Sequence, residues 1–155
     1  MATTHSQIKT VDRVAAIAAG VSGIGAGRVK KGYTNYAESA DWEQQVKQLA
    51  PEVQGFFSCW LRSCDQLSQN QAGSFSIAGE LAVYVPKDLS SDMSNAWNFA
   101  LDFAARLLDQ ANYQEGELRP LSISIHLLKV LGDTPGVCIF DFGAHGRGKM
   151  EFVDP

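Results

Sequence analysis

Two glycine-rich stretches hold the residues best suited to chemistry. In GVSGIGAGRVKKGY, positions 20–33, Gly20, Gly23, Gly25 and Gly27 lead into Arg28, Lys30 and Lys31. That composition fits a loop that cradles phosphate with backbone amides and nearby cations. The spacing argues against it. A dinucleotide fingerprint needs a third glycine where Arg28 stands, with a strand before the glycines and a helix after them. A phosphate loop of the Walker type needs Ser or Thr after its lysine, and Lys30-Lys31 runs into Gly32-Tyr33. The stretch therefore predicts a flexible connection from helix to strand, its glycines supplying positive φ. Arg28, Lys30 and Lys31 are left for contacts with an acidic neighbour.

The second stretch is GAHGRG, positions 143–148, where His145 and Arg147 alternate with glycine. Backbone amides and Arg147 could bind an anion there, and a small enzyme could use the His145–Arg147 pair. A glycine-rich hairpin turn is the expectation. No G-x-S-x-G elbow is present, His5 lies in a polar terminus, and His126 alternates with serines on one side of a strand. Cys59 and Cys64 are five apart in a strand-like run and should face opposite ways, and Cys138 has no C-x-x-C partner. No catalytic group, metal site or cofactor is predicted. Three cysteines suit free thiols in a reducing cytoplasm better than a disulfide framework.

The elements that must position these residues follow from periodicity. At 155 residues, 45% hydrophobic and 19% charged, the chain has the makings of one globular domain over residues 1–155. A net charge of −4 and a pI near 5.3 lack the basic footprint of a nucleic-acid grip. Val14 to Gly27 is too short and too weakly apolar for a membrane span, so a soluble, unprocessed chain without membrane partners is expected.

Residues 1–7 are polar and expected to fray. Ile8, Val11, Val14, Ala15 and Ala18 predict a helix over about 7–19, closed by Gly20. A short strand follows at 28–33, then a helix from Trp42 to Leu49 entered through Asp41. Strands are expected at 55–62 and 75–85, joined antiparallel through the polar connection 65–73. Met93 to Ala111 carries the clearest helical stripe, with Ser91 or Asp92 as its cap and Trp97 and Phe103 as core. Strand 121–127 has a polar face, and 137–142 with 149–153 predicts a closing hairpin around the GAHGRG turn. The expected fold is α+β, order α-β-α-β-β-α-β-β-β, with helices on a mostly antiparallel sheet.

One segment carries more. In SFSIAGELAVYVPKDLSSDMSNAWNFALDFAARLL, positions 74–108, an alternating strand ends in Val85-Pro86. Then come an acidic and serine loop (Asp88, Ser90, Ser91, Asp92) and an amphipathic helix with an early Ala96-Trp97. This resembles the core of bacteriophage tail-terminator, or tail-completion, proteins of long-tailed phages and prophages. IGAGRVKKGY, Asp41-Trp42 and SISIHLLKVL are similar to flanking parts of related small tail and neck proteins, so the likeness covers about residues 8–131.

The resemblance implies a tail-terminator-like fold, no reaction, and a homo-oligomeric ring, usually a hexamer. Such a ring caps the tail tube protein and meets the head-tail connector protein in the virion tail, after assembly in the host bacterial cytoplasm. DNA would pass its lumen without specific binding. Candidate interaction residues are Arg28, Lys30, Lys31, Gln66, Gln69, Asn70, Gln71, His145 and Arg147. A non-enzymatic bacterial binding module, of chaperone or immunity type, is the alternative.

Overall fold

The computed structural model describes residues 4–32, 44, 49, 54–66, 72–85, 89–114, 118–131, 136–148 and 152–153. Its elements run β1 (Thr4–His5), α1 (Ser6–Ala19), β2 (Val29–Gly32), β3 (Gly55–Asp65), β4 (Gly73–Val85), α2 (Leu89–Leu108), β5 (Ser122–Leu131), β6 (Gly136–Gly148) and β7 (Phe152–Val153). The helix expected over 42–49 falls outside the described residues apart from Gln44 and Leu49. Five strands form one sheet in the order β2-β3-β4-β6-β5, and β1 pairs with β7 separately. β2 lies parallel to β3, and the other three pairings in that sheet are antiparallel. The α+β class and the mostly antiparallel sheet follow the sequence reading, and so does the order of the described elements apart from the added strand β1.

Alternation decides the two faces of the sheet. Phe57, Cys59, Leu81, Val83, Phe140 and Phe142 face the helices with the apolar stripe of α2, Ala96, Ala100, Phe103 and Leu107. Phe57 meets Phe103 at 4.7 Å and Phe142 edge-on at 5.4 Å, and Trp97 meets Phe140 at 4.9 Å. Such aromatic pairs add about 0.5–1.5 kcal/mol each beyond the area they bury. Trp97 is only half-buried and borders the core, where Phe103 is enclosed. On the far face a smaller apolar group, Leu49, Phe56, Ala82 and Ile139, occupies one end. Serines and charged residues occupy the other.

Five expectations are corrected. Residues 1–7 do not all fray: Thr4 and His5 pair with Val153 and Phe152, Ser6 and Gln7 are buried, and the Thr10 hydroxyl accepts the Leu118 amide at 3.1 Å. Partners more than a hundred residues away order a segment whose own composition is polar.

The major helix starts at Leu89, so Ser91 and Asp92 lie inside its first turn instead of capping it. It stops at Leu108, because Asp109 turns extended and its carboxylate accepts the Ala111 amide at 3.0 Å to start a separate 3-10 turn.

Cys59 and Cys64 share a face. A register shift between Leu61 and Ser63 inserts one extra residue, Arg62, and restores Cys64 to the helix side opposite Phe75.

The closing hairpin is absent. Gly136–Gly148 is one continuous strand, paired on one side with β4 and on the other with β5, and β7 pairs with β1. Glycine serves close approach here. A Cβ at Gly146 would stand 2.5 Å from the Phe75 ring, and one at Gly148 would stand 2.4 Å from Leu118.

Last, β5 runs on to Leu131, past the expected end at 127, with its own register shift between Leu127 and Lys129.

Candidate interaction surface

The opening glycine stretch folds as a joint whose amides are largely spent internally. The amides of Gly20, Val21, Ile24, Gly25 and Arg28 donate to carbonyls within residues 16–25, and the Gly55 amide donates to Gly23 O at 3.0 Å. Phosphate cradles depend on amides left free to converge on a ligand. Gly23 (φ +95°) and Gly25 (φ +77°) have the positive φ expected of a turn, and at Gly23 the side chain of Gln54 leaves a Cβ no more than 3.0 Å. α1 precedes the glycines, and a 3-10 turn at Ala26–Arg28 leads into β2.

The joint does not deliver its three cations to one patch. Lys31 turns toward α1, where its Nζ lies 2.8 Å from Asp12 Oδ1 in an exposed ion pair. Lys30 takes the opposite face by alternation, in register with Ser58. Arg28 ends the 3-10 turn, half-buried.

Three other candidates converge at a different place. Gln66 follows the last residue of β3 in a left-handed conformation (φ +61°), and Asp65 pairs in register with Ser74, which pairs with Arg147. His145 sits two residues before Arg147, opposite Ser76 on one side and Ser122 on the other. His145 and Arg147 therefore share one exposed face of a strand whose amides belong to the ladder. They do not form an anion-binding loop. Gln69, Asn70 and Gln71 lie outside the described residues. A cavity of roughly 420 Å³ opens at this end, lined by Arg62, Ser63, Asp65, Ser74, Ser76 and His145.

The cysteines are free and poorly suited to nucleophilic work. Burial pushes the Cys59 thiol up to about 12, with the Lys31 charge pulling it down and the Asp12 charge pushing it up, each by less than burial does. Burial also raises Cys64, with the Asp65 charge adding to it, and burial alone raises Cys138. A thiol held protonated at neutral pH is a weak nucleophile and a poor metal ligand. Among the described residues no three His, Cys, Asp or Glu side chains stand close enough to hold a metal, and no helix is long and apolar enough to cross a membrane.

A further surface went unread in the sequence. Among the described residues the exposed large hydrophobics are Leu101, Leu108, Leu121, Leu127, Leu128 and Val130, 38–60% exposed. All six belong to α2, β5 or the residue just before β5. Leu101 and Leu108 are seven apart, on the flank of α2 next to Trp97, which packs over β6. Phe99 marks the opposite flank, against Gly55 and Gly23. β5 is an edge of the sheet, ten residues long, and no described strand pairs with its outer side. Exposed apolar side chains are ordinary when scattered, whereas a group of them on an unpaired edge strand and the adjacent helix is a candidate contact surface. The signal was available: SISIHLLKVL places Leu128, Val130 and Leu131 around Lys129 past the point where strict alternation ends.

No protein-family profile matches the chain. Over 88 residues it is 27% identical to probable D-xylulose reductase A of Aspergillus terreus and to the proteins of that name from two Aspergillus fumigatus strains. The match spans 56% of this chain and 25% of those proteins. The chain thus covers a quarter of the length of the curated relatives it matches. A likeness of that extent assigns neither a family nor an activity.

Proposed function

We propose that this chain is a structural assembly subunit, without chemistry of its own, that forms a homo-oligomeric ring at the end of a phage or prophage tail tube. In this reading the α+β arrangement is a tail-terminator-like fold, and the ring joins the tube to the head connector. The observation that carries it is the exposed apolar seam of Leu127, Leu128 and Val130 on the unpaired edge strand β5 with Leu101 and Leu108 on α2. A subunit that must bind its own copies needs an edge and an apolar strip that a neighbour can complete. The resemblance of residues 74–108 to tail terminators supplies the biological setting for that contact.

Light scattering and negative-stain imaging test the reading. The wild-type chain is expected to form closed rings, alone or on added tail tubes, and Leu128→Lys with Val130→Lys to leave a folded monomer. A wild-type protein that stays monomeric at its solubility limit and ignores tail tubes would overturn it. A monomer that instead binds one discrete partner through the seam would fit the binding-module alternative.

A further inference from the structure

The polar end of the sheet's open face has a composition of its own. Ser74 and Ser76 alternate on β4 opposite Arg147 and His145 on β6, and Ser63 lies opposite Ser76 from β3. The extra residue in β3 is Arg62, so the register shift sets both Arg62 and Ser63 at the rim. Bulges commonly re-aim side chains beside binding sites in this way. Arg62, Ser63, Asp65, Ser74, Ser76 and His145 line the cavity of roughly 420 Å³. The Arg147 guanidinium, beside Ser74 in the register, is anchored by donating to Ala72 O at 3.3 Å.

We propose that this pocket binds an oxyanion of the phosphate class, presented either as a free ion or as a phosphodiester of a nucleic-acid backbone. Guanidinium groups and hydroxyls are the donors that recognise phosphate oxygens, and the imidazole adds one more. Within the lining Asp65 offsets Arg62, so the excess positive charge comes from Arg147 beside it, and one such charge suits a singly charged phosphodiester. The chain as a whole carries −4, so this end is a local exception to its charge and not part of a broad basic face. A single weak phosphate contact per subunit allows a strand to touch the protein without being held there. The inference stands on the pocket alone and does not require the ring.

The test is a titration of ¹⁵N-labelled protein, followed by amide shifts, with inorganic phosphate and separately with a short single-stranded DNA oligonucleotide. Amides of Ser74, Ser76, His145 and Gly146 are expected to move while those of α2 stay still. Arg62→Gln and Arg147→Gln should each weaken binding by about tenfold, the usual loss of a charged hydrogen bond, with melting temperature unchanged. Oligonucleotide binding that phosphate competes away identifies a backbone phosphodiester. Shifts with phosphate but not with the oligonucleotide identify a free oxyanion. Absence of shifts with both probes, shifts that map elsewhere, or full affinity in both variants would overturn the proposal.

Discussion

Residues 20–27 and 143–148 are each half glycine and have opposite fates. The first is a joint, in which Gly23 and Gly25 adopt positive φ and the chain turns from α1 toward β2. The second is a length of central strand in which no glycine has positive φ. There, glycine is required by what lies on top of it: Phe75 over Gly146 and Leu118 over Gly148. The same residue therefore satisfies a local backbone demand in one place and a distant packing demand in the other. Only the first kind is encoded near the glycine itself.

That contrast can be broken by substitution. Gly146→Ala is expected to cost the most, about 3 kcal/mol, since its Cβ would meet the Phe75 ring at 2.5 Å and the Arg119 carbonyl at 3.0 Å. Chemical denaturation measures the loss, and Phe75→Leu in the same chain should restore part of it. If Gly146→Ala is neutral, close approach is not what glycine provides there.

Gly23→Ala should cost about 1–2 kcal/mol by the same measurement, from its positive φ and the Gln54 side chain above it. No second-site change at Gln54 should relieve it fully, because the backbone term remains. Gly27→Ala is expected to go the other way. Nothing lies within 4 Å of that position and its φ is not positive, so alanine should stabilise by about 0.4–1 kcal/mol through the unfolded chain. A loss at Gly27 would mean that the whole joint, and not two positions in it, depends on glycine.

The smallest effect belongs to Lys31→Ala. The pair with Asp12 is 53% and 43% exposed at its two side chains, so removal should cost less than about 0.5 kcal/mol and nothing at high salt. A larger loss would show that the ion pair, more than the Gly55 to Gly23 backbone bond, holds the joint closed.

The contrast also explains what the sequence disclosed. The β4 alternation of Phe75, Ile77, Leu81 and Val83 and the α2 stripe of Ala96, Ala100, Phe103 and Leu107 were legible because each element states its own period. β6 was misread because Gly143, Gly146 and Gly148 look like punctuation until Phe75 and Leu118 are placed over them. The face of Cys64 was misread because one bulge reverses the parity of every residue after it. Of the nine candidate surface residues, Gln66, His145 and Arg147 gather at one end, while Arg28, Lys30 and Lys31 lie around β2 at the edge of the sheet opposite β5. Arg62, Ser74 and Ser76 were passed over, since only cross-strand register makes them neighbours of His145.

The place of β6 has a consequence for synthesis. It is synthesised after both β4 and β5, yet it lies between them and is the only described strand joining them. Until residues 136–148 emerge, the nascent chain has β4 as a bare edge and β5 without a mate. A ribosome-stalled chain ending before residue 136 should therefore be protease-sensitive throughout, its sheet waiting on a late insertion that completes the core in one cooperative step.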